Sequence, residues 1–214
     1  MLADGRLRTT SPPWEGYDGA RIVREQGFDT HGDFVTTHTI TKVPQSHVIG
    51  AVWTITQTIP ALSFYVPLNP SSPYKDNFFW FGFAQPKDGV GASVLSARLL
   101  ELHPKTGQGF KLGAHPLQPA LAAVQDGLAF VQRADPQEGQ YHEGTDGAGL
   151  SVEVYHHDAS GTGEYVEMEF LSPLRRLEQG ASLTTLWSVH RLPEKWTPSD
   201  AETLLHPSLR TVDQ

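Results

Sequence analysis

Glu167 and Glu169 stand two residues apart in the segment Tyr165-Val166-Glu167-Met168-Glu169-Phe170. Alternate residues of an extended strand share a face, so Val166, Met168 and Phe170 fall on one side and Tyr165, Glu167 and Glu169 on the other. At a rise of about 3.3 Å per residue the two carboxylates sit roughly 6–7 Å apart. Like charges at that spacing raise one another's pKa when partly buried, which suits a general base or acid. On a solvated strand face they are two ordinary glutamates. Lys111 follows a Gly-containing turn and precedes Leu112-Gly113. Its ammonium can pair with either glutamate, orient a hydroxyl or hold a phosphate, or stay solvated at the start of a strand. His156-His157-Asp158 has metal-ligand residue types, but neighbouring strand residues point to opposite faces, so no metal site is expected. The chain has no Gly-x-Ser-x-Gly elbow, phosphate-binding glycine loop or dinucleotide fingerprint. Serine-hydrolase and nucleotide chemistry therefore have no basis, and no cofactor is expected.

The elements that must position these residues read as β-strands almost throughout. Residues 20–25 and 33–42 have strand character, the latter rich in Val and Thr. His47 to Ile59 reads as one long β segment, with Ala51, Trp53, Ile55, Gln57 and Ile59 on one face. Residues 60–76, rich in Pro and Ser, are expected to be an extended connection. The aromatic run Phe78–Phe83 reads as a buried strand. Residues 91–103 have helical propensity, yet their Val and Leu content favours strand. Residues 107–113 lead from loop into strand, and Leu121–Gln132 form a hairpin around Asp126-Gly127. Residues 137–149 are a Gly-rich polar loop. The strand at 165–170 and that at 182–189 are expected to form the last strand pair. Beyond Leu192 the pattern changes: Pro193–Pro198 is linker-like, and residues 199–205 offer an N-cap and one or two helical turns.

Several of these segments occur in an order that resembles a known family. They are Ala51-Val52-Trp53-Thr54-Ile55-Thr56-Gln57, Gly109-Phe110-Lys111-Leu112-Gly113, the Asp126–Arg133 hairpin and Val152-Glu153-Val154-Tyr155. The Glu-bearing strand follows, then Pro173, the turn Leu177-Glu178-Gln179-Gly180-Ala181 and a strand containing Trp187. This order is similar to that of galactose-mutarotase-like domains of the aldose epimerase superfamily, in a bacterial branch with no activity of its own to carry over. The resemblance spans roughly residues 5–192. The turn lacks the family's usual Pro and final Glu, and the family's His-aromatic-Asn motif is not recognisable.

The resemblance implies an all-β, galactose-mutarotase-like β-sandwich (supersandwich), shortened at its N-terminal side, with a short C-terminal helical tail. It also implies a carbohydrate-recognising protein with aldose 1-epimerase-like isomerase activity. Glu167 or Glu169 matches the general base by position, and the choice between them stays open because a two-residue shift keeps the face. His38 and His47 lie in the right part of the chain for the missing histidine. Lys111, Trp53, Gln57, Trp187 and His47 are the expected substrate contacts. Tryptophan stacks on the C–H faces of sugars and Gln both donates to and accepts from hydroxyls. The alternative is a non-catalytic carbohydrate-binding or structural β-sandwich that has lost the acid partner.

Composition bounds the rest. The chain has 214 residues, 38% hydrophobic and 19% charged, enough for one sizeable core. Residues 1–192 are expected to form a single domain and 193–214 a tail. Net charge is −8 with no basic cluster, which argues against nucleic acid and anionic membrane partners. There is no cysteine, hence no disulfide framework and no thiolate nucleophile. No apolar run reaches membrane-span length and no signal-peptide core opens the chain, so a cytoplasmic protein is expected. Strands missing from the first sheet would leave an edge open to pairing, which points to a homo-oligomer.

Overall fold

A computed structural model describes residues 2, 5–60, 63–82, 91–142, 149–158 and 163–206. The described strands are, in chain order, β1 (Leu7–Thr10), β2 (Ile22–Phe28), β3 (Phe34–Ile40), β4 (Ile49–Gly50), β5 (Trp53–Thr58), β6 (Ser63–Pro67), β7 (Phe79–Trp80) and β8 (Ala92–Ser96). They continue with β9 (Leu99–Leu102), β10 (Phe110–Ala114), β11 (Ala120–Gln125), β12 (Leu128–Ala134), β13 (Val152–His157), β14 (Tyr165–Leu171), β15 (Arg175–Arg176) and β16 (Ala181–Arg191), before helix α1 (Pro198–Leu205). They form an all-β sandwich. One sheet has nine strands in the order β1-β2-β3-β16-β12-β11-β6-β9-β8, the other five in the order β5-β14-β13-β10-β7, and β15 and β4 make a small third pair. Every pairing is antiparallel.

The core lies between the two sheets. Phe64, Val66, Leu100, Leu102, Leu121 and Leu183 come from the larger sheet; Leu112, Val152, Val154, Val166, Met168 and Phe170 come from the smaller. Each such side chain contributes about 1.5–3 kcal/mol by leaving water. Strict alternation in β10, β13 and β14 follows from this packing. If one face is apolar and buried, the residues between must lie on the outer face of the five-stranded sheet. That outer face carries the chemistry.

Several expectations need correction. His47–Ile59 is not one strand: it breaks at Ala51-Val52 into β4 and β5. There Val52 N–H donates to Ser172 Oγ at 2.8 Å while Ser172 N–H donates to Val52 O at 2.8 Å. Residues 60–76 contain β6, buried at every position; Pro60 and Pro67 bracket the strand and mask the short run Ser63–Val66. Residues around 165–170 and 182–189 do not pair with each other. β14 lies in the smaller sheet and β16 in the larger, because Pro173 has no N–H to continue a ladder and the chain crosses over. His156 and His157 are the last two residues of β13. Residues 91–103 are the β8–β9 hairpin, and the β11–β12 turn uses Asp126 and Gly127 at φ 49° and 74°, as a type I′ turn requires. Phe83, residues 143–148 of the Gly-rich loop and residues 207–214 of the tail lie outside the described residues.

Helix α1 packs Ala201 and Leu205 against Tyr65, Leu99, Ala120 and Val131 on the outer face of the larger sheet. Thr197 and Asp200 form a reciprocal capping box with Pro198 at the first position. Trp196 Nε1 donates to Tyr65 Oη at 3.2 Å, and Glu202 accepts from Ser96 Oγ. Among the described residues no helix is long and apolar enough to cross a membrane.

Candidate functional site

Register places Glu169 of β14 directly opposite Glu153 of β13, and Glu153 opposite Gly113 of β10. All three face outward from the five-stranded sheet. Lys111, two residues before Gly113, shares that face and reaches back across it. Its Nζ lies 2.7 Å from Glu153 Oε2 and 3.2 Å from Glu169 Oε2. Trp53, from the edge strand β5, donates its Nε1 to the same Glu169 Oε2 at 2.7 Å. The ammonium also sits 4.8 Å from the Trp53 ring centroid and 5.1 Å from that of Phe81, a cation–π arrangement with each ring.

Gly113 makes this approach possible. A Cβ there would come within 3.2 Å of Glu153 Cγ and would collide with Leu150. Leu150, Tyr74, Phe79 and Phe81 pack into a small apolar cluster that closes the back of the site. Both glutamate side chains are 1% exposed as a result.

Two carboxylates and one ammonium in so dry a place carry one negative charge too many. Burial of Glu169 favours its neutral form; the Lys111 charge opposes that, and the adjacent Glu153 charge reinforces it. The Glu169 carboxyl is pushed up to about 8, so it keeps its proton at neutral pH. For Lys111, burial works against the charge, but its hydrogen bond to Glu153 and the charges of both glutamates outweigh it, and its pKa moves up. As ionised groups, Glu153 and Glu169 would each leave Oε1 without a partner among the described residues. A proton on Glu169 supplies a donor toward Glu153, which also favours the neutral form. The pair thus sets a neutral carboxylic acid beside an ion-paired carboxylate.

Glu153 also borders a cavity. The cavity, of about 250 Å³, is lined by Glu153, Trp53, Tyr17, His142, Leu171 and Leu174, with Ile49-Gly50-Ala51 at its edge. It offers a carboxylate, an imidazole and two aromatic rings to one small ligand.

Of the residues expected from sequence, Glu169, Lys111 and Trp53 come together here. Glu167 lies on the same sheet face but outside the cavity, and accepts a hydrogen bond from Gln57 Nε2 at 2.9 Å. Trp187 is on the other sheet, against Phe34 and Phe130, with its Nε1 donating to Thr185 Oγ1 at 3.1 Å. His47 is exposed beside Arg176. His38 is on β3 and lines a neighbouring cavity. His156 points inward and His157 outward, and the described residues hold no group of three or more His, Cys, Asp or Glu that could bind a metal. Sequence reading passed over two site residues. Glu153 was legible as an alternating strand residue with no partner in sight, and His142 as an isolated histidine beside a Gly-rich loop.

Comparison of the chain with protein families, with curated proteins and with solved structures finds no match. What the site does must be read from its own geometry.

Proposed function

We propose that this protein recognises a carbohydrate and interconverts the anomers of an aldose, in the manner of an aldose 1-epimerase, at the Glu153–Glu169 pair. The observation that supports this reading is a buried glutamate pair, bridged by Lys111 and backed by Trp53, one member of which, Glu153, lines a cavity sized for a small polar ring. Glu153 accepts the proton of the C1 hydroxyl as the C1–ring oxygen bond breaks, leaving an aldehyde at C1. His142, on the same cavity wall, gives a proton to the ring oxygen. Rotation about C1–C2 and the reverse transfers close the ring as the other anomer. Glu169 and Lys111 hold the charge and position of Glu153 rather than touching the sugar, and the exposed ring of Trp53 offers a stacking face.

Anomer exchange measured by NMR on a panel of aldoses tests the proposal. Wild type should accelerate exchange above the spontaneous rate. Glu153→Gln should lose about 10²–10⁴-fold of that rate, while Glu167→Gln should keep it. No acceleration for any sugar would contradict an epimerase. Sugar binding that weakens in Trp53→Ala without any exchange would then favour a binding domain, a reading supported by the half-exposed Trp53 ring.

A further inference from the structure

A second cavity, of about 290 Å³, adjoins the first and shares Tyr17, Ala51 and Trp53 with it as common wall. It lies between β5 and the inner face of β2 and β3, bounded by Trp14, Ala20, Arg21, Ile22, His38 and Ile40. Its outer wall is preformed. Trp14 N–H donates to Ala20 O at 2.9 Å and Gly19 N–H to Trp14 O at 3.0 Å, which closes a tight loop. Asp18 and Gly19 sit in that loop at φ 50° and 79°, and Ser46 Oγ holds the Asp18 carboxylate at 2.6 Å. Within it the Trp14 and Tyr17 rings stack at 4.2 Å. Such a wall loses little entropy when a ligand arrives.

His38 and Arg21 bring polar side chains to this cavity. Arg24 Nε donates to His38 Nε2 at 2.7 Å, and a guanidinium can only donate, so the imidazole proton resides on Nδ1. Burial and the neighbouring Arg24 charge pull the His38 pKa down to about 4, which keeps that tautomer neutral through the physiological range. Nδ1–H is buried and has no partner among the described residues. A buried donor left unpaired is costly, and a ligand acceptor would recover that cost. Arg21 donates to Ser11 O at 3.0 Å and makes no ion pair among the described residues.

We infer that this cavity is a second sugar subsite, so that the substrate is a reducing disaccharide or longer glycan rather than a free monosaccharide. The reducing unit sits against Glu153, and the next pyranose lies between Trp14 and Trp53 with a hydroxyl or ring oxygen on His38 Nδ1–H. This rests on the carbohydrate reading of the first cavity and adds its substrate class. Each cavity alone is at or below the small end of ligand pockets, about 300–1,000 Å³, whereas their combined volume falls inside that range. Aromatic walls with a few fixed donors match the C–H faces and hydroxyls of a sugar ring.

The test is calorimetric titration at pH 7 with D-glucose and D-galactose, and with maltose, cellobiose and lactose. At least one disaccharide should bind about tenfold or more tightly than either monosaccharide. That advantage should vanish in Trp14→Ala and in His38→Phe, with monosaccharide binding unchanged. Trp14 is 55% exposed, so its truncation should leave the fold intact; His38→Phe keeps a ring in place and gives an independent reading. Monosaccharides binding as tightly as every disaccharide, or an advantage untouched by both substitutions, would overturn the second subsite and leave the first standing. No binding of any of the five sugars would overturn both.

Discussion

Lys111 is the residue on which the site balances. It lies within hydrogen-bond reach of two buried carboxyl groups and close to two aromatic rings. Removing one member of a buried ionic cluster leaves uncompensated charge, so Lys111→Met should cost about 3–5 kcal/mol in urea unfolding. The double change Lys111→Met with Glu153→Gln should recover much of that loss, because the charge left behind goes with it. Glu169 adds a pH signature. Its carboxyl titrates near 8 in the folded protein and near 4.3 in an unfolded chain. Between those values the folded state holds the extra proton, so this group's contribution makes stability fall as pH rises, and it levels off above about 8. Urea midpoints from pH 5 to 9 should decline less steeply in Glu169→Gln than in wild type. At this scale the sequence disclosed Glu169, Lys111 and Trp53, because strand parity and residue chemistry are local. It could not disclose Glu153 as a partner. That pairing depends on the β13–β14 register and on a lysine 58 residues away from Glu169.

Among the elements, β14 was the most legible, since its apolar and polar residues alternate from Val166 to Phe170. β6 was the least, because five residues buried at every position carry no alternation to read. The separation of β14 from β16 into different sheets was also hidden. A Pro-containing connection looks the same whether it turns a hairpin or crosses between sheets. Gly113 shows how an element serves the site. Its missing side chain leaves room for Glu153 and Leu150 on the same face. Gly113→Ala should destabilise the fold by about 1–3 kcal/mol. It should also slow anomer exchange by displacing Glu153, an effect that overpacking elsewhere in the sheet would not have. Paired thermal melts and exchange rates on the same sample would separate the two effects.

For the whole molecule, two sheets divide the labour. The space between them is apolar and holds the fold together, while the outer face of the smaller sheet is left to polar groups in a dry setting. Helix α1 belongs to the opposite surface, where Leu205 is fully buried against the larger sheet. Leu205→Ala should cost about 2–5 kcal/mol yet leave the exchange rate per folded molecule unchanged, since the helix lies on the far side of the nine-stranded sheet from the glutamates. A matching loss of activity after correction for the folded fraction would mean that the two faces are coupled. The all-β architecture was legible from turn residues and strand propensity along the whole chain. The arrangement of its strands into sheets of nine and five was not, because long-range pairing leaves no local trace.

The claim on which the rest stands is that one of the two buried glutamates holds a proton at neutral pH. Carbon-13 NMR of the side-chain carboxyl carbons, followed from pH 3 to 10 with Glu153→Gln and Glu169→Gln for assignment, reads this directly. One carboxyl should titrate with a midpoint near 8 and lose that behaviour in Glu169→Gln. All glutamates titrating near their ordinary value of about 4.3 would contradict the account, because Glu169 would then place a second buried negative charge beside Glu153.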